Sequence, residues 1–136
     1  MLPSGSILNA TAKQLKINLA TAGEVSKLRV FKETLEAMIN TLYETSPYEI
    51  KKPAIKMYER DIKDMLSGLR RVNRDGISQL RTYLGNAQVK AGLAITMFDR
   101  KEEETSSVRL ENRYQALLDC RANLENARDF LEPWVS

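Results

Sequence analysis

Apolar residues recur every three or four positions through most of this 136-residue chain, and that spacing constrains its fold more than any other feature. Residues at this spacing share one face of an α-helix, because the helix turns once every ~3.6 residues. No segment shows convincingly the strict alternation of a half-buried strand. We therefore expect an all-α fold in which each helix buries one face.

Turn and capping residues divide this pattern into helices. Thr21 to Glu24 has the form of a capping box that starts a helix. Ser46-Pro47 ends that helix, because proline lacks an N–H group and disfavours helix in the residue before it. Pro53 suits the first turn of the next helix, which is predicted to continue to about Arg74.

Two further helices follow in the second half of the chain. Residues 73–76 (NRDG) form a turn before a helix that begins at Ile77. Residues 101–107 form a polar, acidic link, and the last helix is predicted to end before Pro133, with Trp134 beyond it.

These segments predict an up-and-down four-helix bundle over residues 22–136, with helices from about 22, 53, 77 and 107. Residues 1–21 are predicted to form an additional N-terminal helical arm. The apolar positions of this arm are Leu8, Ala12, Leu15 and Leu19.

The helix that begins at Pro53 separates charge from apolar residues. At ~100° per residue, seven cations fall within an arc of roughly 100°, and apolar residues fill a separate arc. The cations, called the basic face below, are Lys52, Lys56, Arg60, Lys63, Arg70, Arg71 and Arg74. The apolar arc contains Ile55, Tyr58, Ile62, Met65, Leu69 and Val72.

The net charge of +3 conceals this local imbalance, because residues 51–76 hold eight Lys and Arg against four Asp and Glu. Like charges three or four positions apart repel by a few tenths of a kcal/mol per pair. Their alignment therefore favours a docking surface for a negative partner. The alternative is a solvated helix face on which Glu59, Asp61 and Asp64 form local ion pairs.

Three kinds of partner are compatible with the basic face. Clustered cations suit nucleic acid, but the only aromatic residue of this helix, Tyr58, lies on its apolar side. We therefore favour an acidic protein surface in a larger complex, a membrane-bound complex included. A self-assembling, viral-type helical protein with the alanine-rich face at 87–94 as its seam is the third possibility. The contacts expected in a docking complex are Lys56, Arg60, Lys63, Arg70 and Arg74.

The sequence offers little for catalysis. It has no histidine, the commonest general base and metal ligand. The single cysteine, Cys120, excludes an internal disulfide and a Cys/His zinc site. We therefore predict a non-enzymatic protein without a cofactor and without catalytic or metal-binding residues. Cys120 and the methionines Met38, Met57, Met65 and Met97 are expected to pack in or near the core.

No stretch approaches the ~18 consecutive apolar residues of a transmembrane helix. The N-terminus also lacks the basic region and apolar run of a signal peptide. The residues alone leave the compartment unknown, and a soluble intracellular protein is expected unless a family resemblance places the chain elsewhere.

One stretch carries a family resemblance. Tyr58 to Lys63 reads Tyr-x-Arg-Asp-Ile-Lys and is followed by Met65-Leu66-Ser67, and the last helix has Arg113-Tyr114 near its start and residues 124–131 near its end. Over about residues 24–132, the chain resembles in outline the PsbQ-type extrinsic proteins of photosystem II. Plant members carry a proline-rich N-terminus where this chain has the predicted arm.

The resemblance implies a basic four-helix bundle in the thylakoid lumen. Such proteins dock on the lumenal side of photosystem II and help to retain the calcium and chloride of the oxygen-evolving centre. They are not themselves enzymes.

Overall fold

The structure, a computed structural model, describes residues 22–70, 77–99 and 106–135. These ranges form four α-helices and confirm the predicted all-α class. The predicted arm at 1–21 lies outside the described residues. The helices are α1 (Ala22–Glu44), α2 (Lys52–Leu69), α3 (Ile77–Asp99) and α4 (Ser106–Val135).

The helices pack as an up-and-down bundle in which α4 lies between α1 and α3, and α3 lies between α4 and α2. Side-chain pairs show that α1 and α4 are antiparallel. Lys32 of α1 pairs with Glu132 at the end of α4, whereas Tyr43 near the end of α1 donates a hydrogen bond to Glu125. The loop after α1 is held on α4 as well, because the rings of Tyr48 and Tyr114 stack 4.7 Å apart.

The core is built from the apolar faces predicted from the spacing. Leu28, Ile62, Leu84 and Leu124, one from each helix, are completely buried. One predicted core position differs. Met57 is 53% exposed, because at ~100° per residue it falls outside the apolar arc of α2. Leu110 is 36% exposed and lines a surface cavity with Met97 and Arg113 instead of entering the core.

The predicted start of α2 is confirmed, because Pro53 occupies its first turn. The predicted extension to about Arg74 is wrong for the described residues, because α2 ends at Leu69. The N–H of Arg70 donates to the carbonyl of Ser67 over 3.3 Å, the tighter bond typical of a last turn. Arg81 of α3 donates to the Leu69 carbonyl over 2.8 Å and so satisfies an acceptor that a helix end leaves open. The turn predicted at 73–76 lies outside the described part of the chain.

The prediction that α4 ends before Pro133 is wrong, since α4 continues to Val135. Proline in the last turn removes one backbone hydrogen bond, and burial of the following residues offsets that loss. Trp134 is 4% exposed, Val135 is 9% exposed, and the ring of Trp134 stacks on that of Phe130 at 6.1 Å. Trp134 is therefore a core residue within the helix.

The alanine-rich face of α3 is also in the core, where Ala87, Ala91 and Ala94 are fully buried. Small side chains let neighbouring helices approach α3 closely. This face is therefore not available as a seam between molecules, which corrects the self-assembly surface predicted from the sequence.

Two glycines should respond differently to substitution by alanine. Gly85 lies mid-helix with no atom within 4 Å of the position of a Cβ, so Gly85→Ala should raise the free energy of unfolding by about 0.5–1 kcal/mol. A Cβ at Gly68 would lie 2.9 Å from Cζ of Phe31 in α1, so Gly68→Ala must displace that ring and should lose this gain. Chemical denaturation of both variants measures the difference, and equal gains would contradict the close α1–α2 approach at Phe31.

Candidate basic docking surface

The structure places the described part of the basic face on the solvent side of α2. Lys56, Arg60, Lys63 and Arg70 are exposed and Lys52 is partly exposed. From Lys52 to Arg70 they extend over about 27 Å of helix. Arg71 and Arg74, the remaining predicted contacts, lie outside the described residues.

Four of the cations on the basic face form no close ion pair with the acids of α2. Within the described residues, no carboxylate oxygen lies within 4.0 Å of a side-chain nitrogen of Lys56, Arg60, Lys63 or Arg70. The local ion pairs expected from Glu59, Asp61 and Asp64 are therefore not formed with these four cations.

The acids of α2 lie on the two flanks of the basic face. The Glu59 carboxylate is directed at α3, where its Oε2 is 2.8 Å from the position of a Cβ on Gly92. Asp61 and Asp64 lie on the opposite flank and line a groove with Phe31 of α1. The helix thus separates its charges, with cations outward and acids toward the neighbouring helices.

Beside the basic face, α3 presents an exposed strip without charge. Val89 is 67% exposed and Leu93 is 40% exposed. The apolar spacing of the sequence does not indicate this surface. Its signal is the scarcity of charge in α3, whose 23 residues include only Arg81, Lys90 and Asp99 as charged residues. The residues of the strip, which share an arc of about 80°, are Ser78, Thr82, Asn86, Val89, Leu93 and Thr96.

Tyr58 is on the buried side of α2, as predicted, and is 9% exposed. Burial raises the pKa of its phenol. Its ring is therefore not available to stack on a base. The basic face presents charge without the aromatic platform that single-stranded nucleic acid binders use.

Cys120 is 1% exposed, and burial raises the pKa of its thiol to about 12. A protonated, buried thiol is neither a nucleophile nor a metal ligand near neutral pH. The described residues also contain no group of three or more His, Cys, Asp and Glu placed to hold a metal ion.

A second cationic feature lies where α3 meets α4. Met97, Phe98, Arg109, Leu110 and Arg113 line a surface cavity of about 240 Å³. The guanidinium of Arg113 lies 4.0 Å from the centre of the Phe98 ring, and burial lowers its pKa. This stacking on an aromatic ring stabilises the α3–α4 contact and brings no acid, base or nucleophile into the cavity.

Across the described residues, no helix is both long and apolar enough to cross a membrane. Comparison with protein-family models, with curated proteins and with solved structures finds no match to this chain. Function is therefore inferred from the geometry of the basic face and its flanks.

Proposed function

We propose that this protein is a non-enzymatic docking subunit that binds an acidic surface of a larger protein complex through the basic face. The observation that supports this is the exposure of Lys56, Arg60, Lys63 and Arg70 without a carboxylate within 4.0 Å in the described chain. Aligned charges of one sign raise the local potential and steer an oppositely charged partner into contact.

The flank of the basic face favours a protein over a nucleic acid. Val89 and Leu93 offer exposed apolar surface next to the cations, and protein interfaces combine an apolar centre with charged residues at the rim. A nucleic acid would use the cations and leave this apolar surface without a partner. Tyr58, buried against α1, supplies no stacking surface.

The resemblance to PsbQ-type proteins suggests a particular complex, the lumenal side of photosystem II. We include it in the proposal as the first complex to be tested. If photosystem II is the partner, we expect purified photosystem II cores to bind the chain through the basic face.

The experiment is an affinity capture from an extract of the source organism, followed by binding measurements with the purified partner. Wild type is compared with a Lys56→Glu, Lys63→Glu, Arg70→Glu variant. The control variant, Lys27→Glu, Arg29→Glu, Arg128→Glu, changes the net charge equally but on α1 and α4. We expect the first variant to lose about tenfold or more in affinity and the control to bind nearly as wild type.

Identical capture by all three proteins would show that the basic face is only a solvated helix surface. Capture of nucleic acid in place of a discrete set of proteins would replace the proposal with the nucleic-acid alternative. Folding of each variant is checked by circular dichroism and thermal unfolding before binding is measured.

The affinity should also depend on salt. Because Lys56, Arg60, Lys63 and Arg70 are exposed, salt screens them, and the screening length falls from about 10 Å at 0.1 M to about 3 Å at 1 M. We expect the association rate constant to fall steeply over this range while the dissociation rate changes less. Stopped-flow mixing with the purified partner measures both, and a salt-independent association rate would contradict electrostatic steering.

A further inference from the structure

The groove between α1 and α2 is an open seam in the bundle. The two helices meet at Phe31 and Gly68, but they are not packed along their length as the other neighbouring pairs are. The groove has a volume of about 340 Å³. Its lining is Val30, Phe31, Thr34, Asp61, Asp64 and Met65.

The lining combines apolar surface with negative charge. Val30 is 56% exposed and contributes apolar surface to the groove. Asp61 and Asp64 stand on the α2 side of the groove, and no described cation lies within 4.0 Å of either carboxylate. A matching occupant is therefore both apolar and basic.

We propose that the occupant is the N-terminal segment of the same chain, residues 1–21. This segment contains Lys13 and Lys16 and no aspartate or glutamate, so its charge is complementary to that of Asp61 and Asp64. Its apolar positions recur at helical spacing and would cover Val30 and Phe31. They are Leu8, Ala12, Leu15 and Leu19.

The distances allow this contact. The segment joins α1 at Ala22, and Val30 lies eight residues farther along α1, or about 12 Å. Twenty-one residues reach about 30 Å even when fully helical. Because the segment is covalently attached beside the groove, its effective concentration there is in the millimolar range, and modest contacts are enough for occupancy.

A second copy of the chain is a poorer occupant. A two-fold contact through this groove would place Asp61 and Asp64 of one molecule against the same residues of the other. Like charges facing each other across an interface are unfavourable. The segment 1–21 brings only positive charge.

Thiol labelling of the full chain tests the proposal. Cys120 is buried with a raised pKa, so an introduced cysteine reacts first with a maleimide reagent. Val30→Cys reports on the groove, and Val89→Cys on α3 is the reference, since the exposed fractions of the two valines are similar at 56% and 67%. We expect Val30→Cys to react about tenfold more slowly, which corresponds to a groove occupied about nine-tenths of the time.

A second set of variants tests whether the positive charge of residues 1–21 is needed for protection. Adding Lys13→Glu and Lys16→Glu to Val30→Cys should raise the labelling rate to that of Val89→Cys. A matched pair, Lys90→Glu and Arg128→Glu on α3 and α4, should leave the protection unchanged. Thr34→Cys, which lines the same groove, repeats the measurement at a second position in case Val30→Cys disturbs the fold.

Equal labelling of Val30→Cys and Val89→Cys would overturn the proposal. So would protection that persists in the Lys13→Glu, Lys16→Glu chain. Protection that grows with protein concentration would assign the groove to a second copy and would overturn it as well.

Discussion

Replacing Leu124 with alanine is expected to lower the free energy of unfolding by about 2–5 kcal/mol. Leu124 is completely buried and lies on α4, the helix that packs on both α1 and α3. The cavity left by the removed methyl groups is surrounded by other fully buried side chains and cannot collapse completely. Urea denaturation measures the loss, and the dependence of the free energy of unfolding on urea concentration is compared with that of wild type.

The same substitution at Leu110 is the control. Leu110 is on the same helix but is 36% exposed, so Leu110→Ala should cost less than about 1 kcal/mol. Comparable losses at the two positions would show that Leu124 is not at the centre of a packed core.

Stability should decrease in alkaline solution because of Cys120. Burial raises the pKa of its thiol from an ordinary value of 9.0 to about 12. Between these values the unfolded chain releases the proton and the folded chain keeps it, so the unfolded state binds fewer protons and is favoured as the pH rises. The stabilising effect is complete below pH 9 and is lost toward pH 12, by roughly 1 kcal/mol for each pH unit.

Unfolding of wild type and Cys120→Ala, measured in parallel from pH 7 to pH 11, isolates this effect. Tyrosines and lysines titrate in the same range, but their contribution is common to the two proteins and cancels in the difference. Above pH 9 we expect the free energy of unfolding of the wild type to fall relative to that of Cys120→Ala, so that the advantage of the wild type becomes smaller. A difference that is constant with pH would mean that Cys120 ionises as readily in the folded chain as in the unfolded one.

The sequence predicted the helices well because burial follows the 3.6-residue period. Ile55, Ile62 and Leu69 are buried where the spacing places them. The ends of helices were less predictable, because tertiary contacts decide them. Arg81 satisfies the last carbonyl of α2 at Leu69, and burial of Trp134 keeps α4 helical through Pro133. Neither contact is visible in the local sequence.

The candidate site also has a part that could be predicted from the sequence and a part that could not. The arc of cations on α2 followed directly from the sequence, and its exposed members are where the period puts them. The positions of the acids did not follow, because Glu59, Asp61 and Asp64 are close enough in sequence to pair with the cations. The direction of their side chains depends on Gly92 of α3 and Phe31 of α1, which only the bundle brings next to α2.

Within the described residues, the order of helices places the two positive helices and the two negative helices on opposite sides of the bundle. With Arg70 included, α2 carries five cations against three acids and α3 two against one, whereas α1 carries three against four and α4 four against five. Since α2 and α3 are neighbours, and α1 and α4 are neighbours, positive charge collects along one edge and negative charge along the opposite edge. In the field of an acidic surface the bundle experiences a torque that turns its α2–α3 edge forward, and the orientation of approach is selected before any atoms touch.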